Sequence, residues 1–138
     1  MACECSEKKI AKASAKLAFA FAGATVPKVN LITGKAIGSA YVIMNSKGIG
    51  ADMVYAYPNA QIGAMDAKSA ADILAKDVDA SVVEADFAKL QLNVESAAAR
   101  GYVDTIIDPA ETRKYLIGAF EMLSSKIDTT PSRKHGTI

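Results

Sequence analysis

Residues 28–33, KVNLIT, set the first constraint on the fold. The run is rich in branched side chains, follows Pro27 and is closed by Gly34, which marks a short strand. It comes directly after a helical pattern. Ile10, Ala13, Leu17, Phe21 and Ala24 recur at three- and four-residue intervals, with Lys8, Lys9, Lys12 and Lys16 mostly off that stripe. Pro27 is the expected stop for that helix. A helix is expected again from about Ser39 to Ser46, ending near Gly48. Two extended pieces follow, ADMVYAYP (51–58) and AQIGAM (60–65), on either side of a turn at Pro58-Asn59.

The second half is mostly helical. Asp66 is placed to cap a helix over AKSAADILA. Ser81 and Glu84 have capping-box spacing ahead of a stripe at Val83, Phe87, Leu90 and Val94, and Gly101 sits where a C′ glycine ends a helix. YVDTIID (102–108) reads as a further strand. Asp108-Pro109-Ala110-Glu111 then combines a cap, a proline at the first helical position and an acid three residues after the cap. It opens a helix with Leu116, Phe120 and Leu123 on one face. The order is that of an α/β domain with few strands for its helices, and it contains no internal repeat or low-complexity tract.

Composition narrows the function classes. With 138 residues, 51% apolar and 22% charged, the chain fits one globular domain. A net charge of +1 gives no electrostatic footprint for nucleic acid. No apolar run reaches the roughly 18 residues of a membrane span, and MACECSEKK lacks the order of a signal peptide, so a cytoplasmic protein is expected. Cys3 and Cys5 have only His135 as a further soft ligand in the chain, so they read as incidental thiols rather than a metal or redox site. Residues 1–9 are expected to be a mobile segment, 10–126 the domain and 127–138 a polar tail.

The glycine-containing turn GKAIGSAYVIM (34–44) is the main candidate site. Its glycines fit neither the Gly-x-Gly-x-x-Gly nor the Gly-x4-Gly-Lys-Ser/Thr phosphate loop, and Ser39 lies outside a Gly-x-Ser-x-Gly elbow. It reads either as a plain strand-to-helix connection or as a backbone oxyanion site. In the second reading Gly38 turns the chain, and the small Ser39 and Ala40 let a ligand approach the free amides at the helix start. Other polar residues have simpler readings. Asp72, Asp77, Asp79, Glu84 and Asp86 spread over helix surfaces, Asp108 is a cap, and Asp66 is favoured as a cap over a catalytic acid. Asp52 is favoured as half of a salt bridge over a cleft residue, and Tyr55 and Tyr57 as packing on one strand face.

Beside these readings, the chain resembles a known family. Residues 15–65, including VPKVNLITGKAIGSAYVIM and ADMVYAYPNAQIGAM, look like the biotin-site half of biotin-dependent acyl-CoA carboxyltransferases, such as propionyl-CoA carboxylase β, the transcarboxylase large subunit and methylmalonyl-CoA decarboxylase α. ARGYVDTIIDPAETRKYLIGAFEMLSSK and PSRKHGTI resemble the ending of those subunits, so the likeness runs over residues 10–138. It implies a crotonase-like (ClpP/crotonase) spiral of ββα units, truncated at its N-terminal strands. It further implies a carboxyltransferase component of an acyl-CoA carboxylase or decarboxylase, with biotin brought by a biotinylated carrier protein and acyl-CoA held by a partner chain with the CoA-binding domain. By the same resemblance, the Ser39 and Ala40 amides are the oxyanion hole for the biotin ureido oxygen, and no metal is required.

Gly38, Val42, Met65 and Asp66 fall on the implied biotin pocket. Ser39 stands where relatives usually carry glycine, and Asp66 where they often have glycine after the methionine. Val42 occupies a position associated with acyl-chain selection. The short length implies a homo- or hetero-oligomer, with a sheet edge or apolar face exposed unless a partner covers it. The alternatives are an inactive assembly or binding module derived from this fold and a small stand-alone crotonase-like enzyme acting on a CoA ester.

Overall fold

Two short parallel sheets share the strands between them, each unit contributing one strand to each sheet. The structure, a computed structural model, describes residues 10–75 and 79–129. Cys3, Cys5, Asp77, His135, the segment 1–9 and the tail beyond 129 lie outside the described residues. Helix α1 (Ile10–Gly23) leads to β1 (Val29–Ile32), β2 (Lys35–Ile37) and α2 (Gly38–Ile43). Then come β3 (Met53–Ala56), β4 (Gln61–Gly63) and α3 (Ala67–Leu74), followed by α4 (Ala80–Gln91), α5 (Val94–Ala99), β5 (Thr105–Ile106) and α6 (Thr112–Met122). β1, β3 and β5 form one sheet in that order, and β2 pairs with β4 in the other. All pairs are parallel, with Val29 opposite Met53, Tyr55 opposite Thr105 and Lys35 opposite Gln61. The succession β1-β2-α2 and β3-β4-α3 is a twice-repeated ββα unit, the layout that the resemblance implies.

The period-2 alternation of β3 divides the core. Val54 and Ala56, fully buried, join Ile32, Ile62, Val94, Ala97 and Val103 on one face. Tyr55 turns to the other face, where it meets Ile107 and Ala119, with Tyr57, Tyr115 and Leu116 packed around them. Both tyrosines are packing residues, as expected. Tyr55 makes an edge-on contact with Tyr115 at 5.7 Å between ring centres, and the Tyr57 hydroxyl is 2.9 Å from that of Thr112. A β3 strand with apolar neighbours on both faces is what a parallel sheet requires.

Several boundaries differ from the sequence reading. α1 ends at Gly23, ahead of Pro27, and the buried Lys28 donates its ammonium to the Phe21 carbonyl at 2.8 Å. That cation, with the Ala24 amide at 3.3 Å on the same carbonyl, finishes the helix before the proline is reached. β2 lies where only a turn and a helix start were expected. The capping box gives way to Asp79, whose carboxylate accepts from both the amide and the hydroxyl of Ser81, at 3.1 and 3.0 Å. The stripe from Val83 to Val94 belongs to two helices, since Asn93 caps α5 by accepting from the Glu95 amide at 3.0 Å. Leu92, 3% exposed, takes the buried place, and Leu90 is 61% exposed. YVDTIID contracts to a two-residue strand. On α6, Ala119 is buried against the sheet with Tyr115 and the expected Leu116 packed beside it, and Phe120 stays half exposed.

Two caps match their sequence signals. The Asp108 carboxylate accepts from the Ala110 amide at 2.8 Å with Pro109 at the first turn. Gly101, at φ +80°, closes α5 with two bonds, Gly101 N–H to Ala98 O at 2.9 Å and Tyr102 N–H to Ala97 O at 3.0 Å. That pair of bonds is a Schellman motif.

Candidate functional site

The start of α2 is built by backbone alone. Ile37 holds the cap position in extended geometry and has no side-chain oxygen to offer the first-turn amides. Gly38 follows at φ +74°, a left-handed angle that a side chain would strain. The amides of Ser39 and Ala40 then fall in the first helical turn, where an N–H has no intrahelical acceptor. Their opposite wall is the exit of β4, close enough that a Cβ on Gly38 would stand 3.6 Å from the Ala64 carbonyl. β4 itself sits tightly against the residue after α4. The Ile62 amide donates to the Leu92 carbonyl at 3.0 Å, and a Cβ on Gly63 would overlap the Leu92 side chain.

A cavity of about 440 Å³ opens at this junction. Gly38, Ser39, Val42 and Ile62 border it on the side of α2 and β4, and α4 adds Phe87 and Gln91. Arg100 and Tyr102, on either side of the Gly101 turn, complete it. Of the residues singled out from sequence, Gly38, Ser39 and Val42 are thus brought together. The Ala40 amide belongs to the same helical turn, but the residue borders a second hollow of about 350 Å³ beside β1 and β2. Asp66 borders a third, near Lys35 and Lys68, and Met65, 38% exposed, borders none of the three.

Phe87, Gln91, Arg100 and Tyr102 escaped the sequence reading. Gly101 signalled the turn that carries the last two, but no local pattern could say that this turn lies opposite α2. Tyr41 borders both the first and second cavities. Its hydroxyl is shut off from solvent with no hydrogen-bond partner among the described residues, and burial, with Tyr102 nearby, pushes its pKa above that of an ordinary phenol.

Asp66 occupies the cap position of α3 with extended backbone, as expected, but its side chain makes no cap hydrogen bond. The neighbouring Ser69 hydroxyl holds its carboxyl below the ordinary value. Asp52 is half of a salt bridge to Lys126 at 2.8 Å, not a cleft residue. Among the described residues no group of three His, Cys, Asp or Glu side chains converges as a metal site would need, and no helix is long and apolar enough to cross a membrane.

Comparison with known proteins places this geometry in a family. The model of the carboxyl transferase domain matches residues 4–138. The propionyl-CoA carboxylase beta chain of Saccharopolyspora erythraea is 44% identical over 142 residues, covering 94% of this chain and 26% of the relative. The methylmalonyl-CoA carboxyltransferase 12S subunit of Propionibacterium freudenreichii subsp. shermanii is 40% identical over 138 residues, again 94% of this chain and 26% of the relative. In structure, a transcarboxylase 12S hexamer solved with methylmalonyl-coenzyme A and methylmalonic acid aligns at a TM-score of 0.90 and 39% identity, over 95% of this chain and 26% of that one. The geranyl-CoA carboxylase beta subunit of P. aeruginosa shares the fold at a TM-score of 0.75 and 20% identity, over 98% of this chain and 28% of that one. The chain therefore spans about a quarter of the length of these relatives, has their crotonase-like fold, and belongs to the carboxyl transferase domain family.

Proposed function

We propose that this chain supplies the biotin side of a carboxyl transfer between biotin and an acyl-CoA. It would work with a biotinylated carrier protein and with a chain that holds the acyl-CoA. The observation that carries this reading is the first turn of α2. Two amides without intrahelical acceptors, uncapped by any side chain, lie beside a cavity that Gly38 and Ser39 border.

The donor set fits a neutral ureido ring. Two N–H groups offer hydrogen bonds to one oxygen, and Val42, Ile62 and Phe87 offer apolar walls to the rest. Biotin supplies a ureido nitrogen that takes up or releases the carboxyl group. The amides of Ser39 and Ala40 hold the ureido oxygen, which carries the negative charge when that nitrogen is uncarboxylated and reactive. Preorganised dipoles of this kind are worth roughly 3–4 kcal/mol per donor at an oxyanion. Only backbone is needed, so Ser39 serves as well as glycine wherever its angles are helical. Val42 contributes pocket surface, while Met65 and Asp66 stand outside this cavity, Asp66 as a negative charge beyond it.

The relatives' names support acyl-CoA as the second substrate, and the hexamer of the transcarboxylase supports an oligomeric setting. The half-exposed Ile117, Phe120 and Met122 on α6 are apolar surface of the kind that such assembly covers.

Amide NMR tests the reading. When the ¹⁵N-labelled chain is titrated with biotin methyl ester, the Ser39 and Ala40 amide resonances are expected to shift in a saturable way, together with Gly38 and Phe87. Saturable binding that leaves residues 38–40 unmoved, or no binding at all, contradicts it.

A further inference from the structure

We propose that Arg100, with Tyr102 beside it, is the carboxylate-binding end of the α2 cavity. The inference rests on the proposed function and adds to it the residue that would grip the transferred group.

Three observations carry it. First, among the described residues Arg100 is the one charged residue bordering the cavity, and no described Asp or Glu borders it to neutralise that charge. Second, the guanidinium is largely unused. Of its five N–H donors, one reaches the Leu90 carbonyl at 3.4 Å, and the ion pairs found among the described residues join Lys47 to Asp104, Lys114 to Glu111 and Lys126 to Asp52. Third, the backbone that carries Arg100 is fixed. The residue ends α5 as its C-cap, and the two Schellman bonds on either side of Gly101 set where it and Tyr102 leave the chain.

The surroundings select the kind of anion. Val42, Ile62, Phe87 and Ala97 border the same space, so the carbon skeleton of a bound acid meets apolar surface while its carboxylate meets the exposed Arg100. The planar fork of a guanidinium matches the two oxygens of one carboxylate. Tyr102, half exposed, supplies a further hydroxyl donor at the same end. A carboxylate held there would lie in the cavity that Ser39 borders, the arrangement needed for a carboxyl group passing to or from a ureido nitrogen.

Two probes separate this inference from the reading beneath it. Biotin methyl ester carries the ureido ring and no carboxylate, and malonate carries carboxylates and no ureido ring. Dissociation constants are measured by NMR titration on the full chain and on Arg100→Gln, Arg100→Lys and Tyr102→Phe, with thermal melting to verify folding. Arg100→Gln is expected to weaken malonate about tenfold or more, as the loss of one charge-assisted hydrogen bond requires, and to leave biotin methyl ester within about twofold. Arg100→Lys recovers part of the malonate affinity because it keeps the charge and loses the fork. Should Arg100→Gln fail to fold, Arg100→Lys and Tyr102→Phe carry the test, each expected to weaken malonate by a smaller factor. Malonate binding that all folded variants leave unchanged, or no malonate binding to the unmodified chain, overturns the inference. If malonate responds as expected while biotin methyl ester does not bind, it is the biotin reading that fails.

Discussion

Asp52 ties three parts of the chain together. Its carboxylate accepts from the Lys28 backbone amide at 2.7 Å and from the Lys126 ammonium at 2.8 and 2.9 Å, while the same ammonium reaches the Val26 carbonyl at 3.4 Å. Burial alone would push the carboxyl up, but the bonds and charges of Lys126 and Lys28 together outweigh it and hold the pKa below the ordinary value. A lowered carboxylate pKa adds stability that is present above the unfolded value of about 3.9 and is lost as pH falls through the folded one. Asp52→Asn is therefore expected to lower stability at pH 7 by about 1–3 kcal/mol, with the difference from the unmodified chain shrinking below about pH 4. Urea unfolding at a series of pH values measures both. A difference that persists undiminished at pH 2 would remove the charge from the explanation. At this scale much was legible: the Asp52 salt bridge and the packing roles of Tyr55 and Tyr57 follow from residue type and spacing. Arg100 was not, because a single arginine after a helix is ordinary until the fold brings α2 opposite it.

Local elements were legible in proportion to how much of their chemistry is local. The Asp108-Pro109 start and the Gly101 stop were plain, since each uses a residue type that its backbone position demands. Gly101→Ala is expected to lower stability by about 1–2 kcal/mol through the left-handed angle alone, because no atom lies within 4 Å of the added methyl group. Gly101→Asn should lose less, since asparagine tolerates that region. Melting temperatures of the two variants check this, and an alanine variant as stable as the unmodified chain would mean that the turn relaxes to another form. β4 was found within AQIGAM, but β2 was harder. Three residues show at most one alternation, so β2 hides inside a glycine-containing turn, and only its pairing with β4 defines it. The helix over 80–91 was found but given the wrong cap, because Asp79 just before it accepts from both the amide and the hydroxyl of Ser81, which already lies inside the helix.

For the whole molecule, the order of helices and short strands pointed to an α/β layout, and the resemblance of separated blocks pointed to the ββα spiral that the structure has. What pattern alone could not reach was which elements enclose the cavity, since the lining residues of α4, α5 and the Gly101 turn, Phe87 to Tyr102, lie far beyond Gly38 along the chain. The chain matches 26% of the length of the propionyl-CoA carboxylase and transcarboxylase relatives, and α6 leaves Ile117, Phe120 and Met122 half exposed or more. Together with a cavity that fits the biotin side of the reaction, these features make carboxyl transfer a property of an assembly in the proposed function. The most direct measurement co-expresses the chain with one that carries an acyl-CoA-binding carboxyltransferase domain, purifies the pair, and follows transfer of labelled carboxyl from a malonyl-type CoA to free biotin. The expected result is a stable complex that transfers label, with neither chain active alone. A complex that forms but transfers nothing, or two chains that never associate, would contradict the central claim.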